Sequence, residues 1–137
     1  MKKLKIYLTG NMTPIADYYK KWTKEFKDSL LDNYDCAIAV QKTDQKFIVR
    51  HDLARLKKCD ILVINFGVLD IRNHITGAIV EVYEAYKSDI PVYAFTEENV
   101  QRSEQADSPW IQHFITHEFK SPDDLILHLL FDENLLI

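Results

Sequence analysis

The sequence predicts an α/β domain built on a five-stranded parallel sheet. Three observations carry this reading. The strand-like segments are almost continuously apolar, as in "DILVINF" (Asp60–Phe66), the signature of strands covered on both faces. They alternate along the chain with segments whose apolar residues recur at helical spacing. And the 137 residues contain only three glycines and four prolines, no repeat and no Pro/Gly/Ser-rich linker, so one domain spans residues 1–137.

The elements follow in order. "LKIYLT" (Leu4–Thr9) is the first strand, and Gly10 ends it in a turn. Pro14–Asp32 is an amphipathic helix, with Pro14 suited to its first turn and an apolar stripe of Ile15, Tyr18, Tyr19, Trp22, Phe26 and Leu30. Cys36–Val40 is a short second strand, and Arg50–Cys59 a short helix with Asp52 near its start. Asp60–Phe66 is the third strand, with Asp60 structural at its head. Thr76–Ser88 is a helix whose stripe is Ala78, Val82, Ala85 and Tyr86, and Ile90–Thr96 is a fourth strand. Ser108–Ile115 reads as a turn or two of helix capped by Ser108, and His117–Phe119 as a fifth strand. Ser121–Asp132 closes the chain as a helix with Ser121 as cap and Pro122 first. Five such strands fit a flavodoxin-like three-layer fold in the order 2-1-3-4-5. Ligands then bind beyond the carboxyl ends of the first and third strands, where the order reverses.

Composition narrows the function. Seventeen basic residues stand among twenty-one acidic ones, for a net charge of −4, which argues against binding nucleic acid through its backbone. No apolar run has the length of a membrane span, and "MKKLKIYLTG" is too short and too interrupted for a secretory signal. The two cysteines, Cys36 and Cys59, read as reduced core thiols of a cytoplasmic protein.

The crevice at the switch point should be lined by Thr9 to Thr13, Asn65 to Asp70 and Thr76. Tyr7 lies on the first strand, and Asp52 follows the loop after the second. Glu81 lies about one turn into the Thr76–Ser88 helix and borders its apolar stripe.

At these residues the chain resembles the nucleoside 2-deoxyribosyltransferases and related nucleotide N-glycosidases. The motifs are "KIYLTG" followed by a helix containing Trp22, then "RHDLARLKKCDILVINF", then "TGAIVEVYEAYKSDIPVYAF", with "SPWIQHF" as a weaker fourth. The resemblance implies Glu81 as nucleophile, Tyr7 as the tyrosine that holds its carboxylate, and Asp52 as the acid that assists departure of the base. The position of the crevice makes Gly10, Asn11, Met12, Thr13, Asn65, Thr76 and Gly77 the expected substrate-binding lining. The resemblance also implies a small-molecule nucleoside or nucleotide as substrate and a homo-oligomer whose subunits complete one another's sites, with Asn134 a candidate for the donated residue; no cofactor or metal is expected. The implied chemistry is sound: an oxocarbenium-like centre needs a carboxylate at the anomeric carbon, and the leaving base needs a proton. One departure stands out. Ile75 occupies the place where the family carries an acidic residue or serine toward the sugar hydroxyls.

Each residue also has a simpler reading. Glu81 fits a solvated residue near the positive end of a helix, Tyr7 a core aromatic, and Asp52 a helix cap. His113 and His117 stand four apart, but a helix end between them and the lack of a third ligand argue against a metal. "TGNMT" (Thr9–Thr13) is similar to a flavodoxin phosphate loop, yet no glycine-flanked aromatic loop follows the third strand, which disfavours FMN. A nucleotide-binding module without turnover remains the main alternative to an enzyme. The apolar "LILHLLFDENLLI" supports an oligomer.

Overall fold

The computed structural model describes residues 3–11, 16–39, 45–70 and 72–132. Its core is a parallel sheet of five strands: β1 (Leu4–Gly10), β2 (Tyr34–Ile38), β3 (Ile61–Asn65), β5 (Val92–Phe95) and β7 (His117–Glu118), ordered β2-β1-β3-β5-β7. This is the expected 2-1-3-4-5 order. Two further short strands, β4 (Gly67–Val68) and β6 (Gln101–Arg102), pair antiparallel in a separate ribbon that the sequence did not announce. Helix α1 (Ala16–Ser29) and α5 (Pro122–Leu127) cover one face, while α2 (Gln45–Leu56), α3 (Thr76–Lys87) and α4 (Pro109–Phe114) form the opposite layer. α5 runs on into a wider π-helical turn, His128–Asp132.

The layers are held by the predicted apolar positions. Tyr19, Trp22 and Phe26 of α1 and Leu30 just beyond it are buried, and Phe26 stacks on Phe95 of β5. Asp60 acts structurally: its carboxylate accepts the Lys5 N–H at 2.8 Å and ties the start of β3 to β1. Ser121 caps α5 by accepting the Asp124 N–H. Ser108 sits at the N-cap of α4 but makes no side-chain capping bond.

Two expectations need correction. α2 begins at Gln45 rather than Arg50, so Asp52 lies well inside the helix and is no cap. Tyr86 does not join the buried stripe of α3: it is exposed, and its hydroxyl meets His113 Nε2 at 3.2 Å. The buried face of α3 is instead Ala78, Glu81, Val82 and Ala85.

Candidate active site

β1 alternates its side chains between the two layers, as any strand must. Leu8 is buried, and a Cβ on Gly10 would come within 3.3 Å of Trp22 of α1. Tyr7 and Thr9 point to the other side and meet α3. Gly10 is needed for close approach rather than for an unusual backbone: that added Cβ would also lie 3.0 Å from the Asn65 carbonyl oxygen of β3.

Glu81 is the centre of the site. It is only 6% exposed and lies on the inner face of α3. The Tyr7 hydroxyl donates to its Oε2, and the Thr9 hydroxyl donates to its Oε1 at 2.7 Å. Burial pushes its carboxyl up to about 7 and the like charge of Asp52 adds to this, while the Thr9 and Tyr7 bonds and the Arg55 guanidinium pull it back. The Tyr7 hydroxyl is pushed far up by burial first and by Glu81 second, so it stays a neutral donor.

Asp52 is 5% exposed on α2. Arg55, one turn on, lies 3.9 Å from its carboxylate and donates to the Ile38 carbonyl at 2.8 Å, which fixes α2 to the end of β2. The structure thus joins Tyr7 of β1 to Glu81 of α3 by a hydrogen bond, and the buried Asp52 of α2 acts on both through its charge.

The substrate-lining set divides. Met12 and Thr13, like Asn134, lie outside the described residues. Asn11 follows β1 and donates through Nδ2 to Asn73 Oδ1 at 3.3 Å, drawing the loop before α3 toward the end of β1. Asn65 is fully buried, and its side chain is used locally: Oδ1 accepts the Gly67 N–H at 2.8 Å, and Nδ2 donates to the Tyr18 hydroxyl at 3.0 Å. That hydroxyl donates onward to Glu97 at 2.6 Å. Thr76 and Gly77 are exposed at the start of α3, and a Cβ on Gly77 would meet nothing within 4 Å. Ile75 is 2% exposed and belongs to the core.

Sequence reasoning missed the Thr9 bond to Glu81, Arg55 beside Asp52, and the Gln105 Oε1 that accepts the Ile75 N–H at 2.7 Å. The first had a signal: Tyr7 and Thr9 are two apart on a strand and share a face. Thr9 offers nothing to a phosphate loop, because it is buried with its hydroxyl turned to Glu81. Among the described residues, no group of three or more His, Cys, Asp or Glu is placed to hold a metal, and no helix is long and apolar enough to cross a membrane.

No family model matches the sequence, and no curated protein matches it. Solved structures do match. A conserved protein from Enterococcus faecalis V583 aligns with TM-score 0.69 at 18% identity, over 92% of this chain and 96% of that one. The CMP N-glycosidase BcmB of Clostridium botulinum aligns with TM-score 0.61 at 14% identity, over 97% of this chain and 99% of that one. A 2-desoxiribosyltransferase from Leishmania mexicana aligns with TM-score 0.59 at 13% identity, over 69% of this chain and 65% of that one. At such identities the likeness is one of fold, and the chemistry has to be argued from the site.

Proposed function

We propose that this chain cleaves the N-glycosidic bond of a 2′-deoxynucleoside or deoxynucleotide and passes the deoxyribosyl group to another base or to water. The observation that carries the reading is the buried Glu81 carboxylate, gripped at both oxygens by hydroxyls of β1 and accompanied by Asp52. Fold likeness to a nucleotide N-glycosidase and a deoxyribosyltransferase supports it.

In this reading a Glu81 oxygen bonds to the anomeric carbon as the C–N bond breaks. The electron pair leaves with the base, which takes its proton from Asp52 in its acid form. An acceptor base or water then attacks the same carbon and releases Glu81, its N–H or O–H proton passing to the Asp52 carboxylate and restoring the acid form. Two displacements return the original anomeric configuration. The working unit is a homo-oligomer: Val80, Tyr83, Tyr86 and Trp110 leave an apolar outer surface on α3 and α4, with Trp110 77% exposed. Light scattering that reports a monomer at micromolar concentration would count against that part.

The test is to incubate the protein with deoxyinosine or deoxycytidine, with and without adenine, and with deoxynucleoside monophosphates, and to separate free base by chromatography. Base release that Glu81→Ala abolishes while the fold persists is the expected result. Equal release by wild type and Glu81→Ala removes Glu81 from the reaction.

A second reading has one observation in its favour. Ile75 is buried and apolar where the resemblance leads one to expect a polar contact to the sugar. A module that binds nucleotide without turnover would show saturable binding and no base release in the same assay.

A further inference from the structure

Thr9 has no part in the chemistry above, yet its side chain touches the carboxylate on which that chemistry turns. A threonine in a strand is ordinarily a favoured β-branched filler, and a buried hydroxyl has to bond to something. Thr23 shows that ordinary solution in this same chain: its hydroxyl donates back to the Tyr19 carbonyl of its own helix at 2.7 Å. Thr9 does otherwise. Its hydroxyl crosses from β1 to α3 and donates to Glu81 Oε1, while Tyr7 donates to Oε2.

Two donors aimed at two different oxygens suit an ionised carboxylate. A protonated carboxyl carries a hydrogen on one oxygen, and that oxygen must then find an acceptor. With Tyr7 alone, the carboxylate plane could still turn about its last bond. A second donor at the other oxygen removes that freedom, since rotation breaks both bonds. We infer that Thr9 is a positioning residue for Glu81, its hydroxyl holding the second carboxylate oxygen so that the ionised form is favoured and the group is fixed in plane. The kinetic consequence rests on the glycosidase reading; the effect on the carboxylate does not.

The charged and titratable groups acting on Glu81 are Tyr7 of β1 and Asp52 and Arg55 of α2, while Tyr19 of α1, in the opposite layer, feels its charge. Burial keeps both tyrosines neutral. Asp52 opposes ionisation of Glu81 and Arg55 favours it. All four are unchanged in variants at position 9, so the difference between those variants isolates the hydroxyl.

The experiment titrates the Glu81 side-chain carbon by NMR in protein labelled with ¹³C at glutamate, the signal being assigned by its loss in Glu81→Gln. Thr9→Val keeps the shape and loses the hydroxyl, Thr9→Ser keeps the hydroxyl, and Thr9→Ala replaces Thr9→Val if the latter does not fold. Loss of the hydroxyl is expected to raise the midpoint by about one pH unit, with Thr9→Ser close to wild type. Base release should fall by about tenfold in kcat with KM little changed, and its acid limb should move with the titration. Coincident midpoints in wild type and the hydroxyl-less variant, or an equal rise in Thr9→Ser, overturn the role of Thr9. A wild type that releases no base while Glu81 titrates as described defeats the glycosidase reading and leaves Thr9 as assigned. An active wild type whose titration and kcat ignore the loss of the hydroxyl does the reverse.

Discussion

Replacing Glu81 by glutamine should make the protein more stable at alkaline pH, and the size of the gain follows from the site. The carboxyl moves from an ordinary 4.5 in the unfolded chain to about 7 in the folded one. Below 4.5 both states hold the proton and nothing is lost. Between 4.5 and about 7 the folded state binds more protons than the unfolded one, so stability falls as pH rises. Above that range the loss is complete, at roughly 3 kcal/mol for a displacement of this size. Glutamine is close to the protonated carboxyl in shape and never ionises, so it escapes the loss. Its amide nitrogen cannot accept a hydroxyl as an oxygen does, so one of the two bonds from Tyr7 and Thr9 is weakened. The expected net gain for Glu81→Gln is therefore about 1–3 kcal/mol at pH 8, shrinking toward zero at pH 4.5. Urea unfolding at both pH values measures it, as a midpoint shift of roughly 0.5–1.5 M at pH 8 for a chain of this size. Wild-type and variant stabilities that run parallel with pH would refute the reasoning, because the buried carboxylate would then cost nothing to ionise. A less stable variant at pH 8 would do the same.

Four further outcomes are expected. Tyr7→Phe should slow base release about ten- to a hundred-fold without loss of the fold, since it removes one hydrogen bond to a charged group; steady-state kinetics with thermal melting checks both halves. Asp52→Asn should slow substrates with poor leaving bases more than those with good ones, read as the ratio of their kcat/KM values, and an unchanged ratio would take leaving-group protonation away from Asp52. Gly67→Ala should destabilise by about 1–3 kcal/mol, because its Cβ would lie 2.8 Å from Val100 Cγ1 and 2.9 Å from Asn65 Oδ1. Gly77→Ala, in open space on α3, should instead stabilise by about 0.5–1 kcal/mol. If it also lowers base release, substrate approaches the backbone there.

The sheet was legible because its central strands β3 and β5 are buried on both faces and so read as apolar runs; β3, "ILVIN", is the clearest. The β4–β6 ribbon was not, since two residues per strand carry no periodicity. The start of α2 was hidden for a related reason. Phe47, Ile48 and Val49 stand side by side in the sequence, which marks no helical stripe. The Tyr7, Asp52 and Glu81 constellation was legible through resemblance, and the alternation of β1 accounts for how Tyr7 reaches α3. Thr9 was read as crevice lining, and its bond to Glu81 escaped notice because threonine is at home in any strand. The stripe of α3 was misread at Tyr86, whose polar tip finds His113 at the surface while the charged Glu81 goes inside. The buried carboxylate is accommodated there because two hydroxyls of β1 receive it.

Ile75 can be weighed in the same terms. It holds the N-cap of α3, where serine or aspartate would ordinarily accept an N–H of the first turn, and it makes no such side-chain bond. A helix with a capping box would also return a glutamate from its third position to the N-cap N–H; here that position is Ala78. Gln105, from the turn that follows β6, takes its place by accepting the Ile75 N–H at 2.7 Å. The Ile75 side chain meanwhile fills the core. The helix start is thus anchored from across the fold, and a polar residue at 75 is not required for stability. What the substitution changes is the chemistry offered to a ligand. The nearest compensation lies one loop earlier, where Asn73 Oδ1 accepts both the Asn11 amide and the Asp70 N–H, each at 3.3 Å. That holds a carboxamide beside the end of β1, on the strand whose Tyr7 and Thr9 grip Glu81. The Asn11–Asn73 pair is, under the glycosidase reading, the polar group on offer to a sugar hydroxyl that finds no partner at Ile75. Under the glycosidase reading, the departure at 75 therefore bears on which sugar is held rather than on whether the carboxylate is poised.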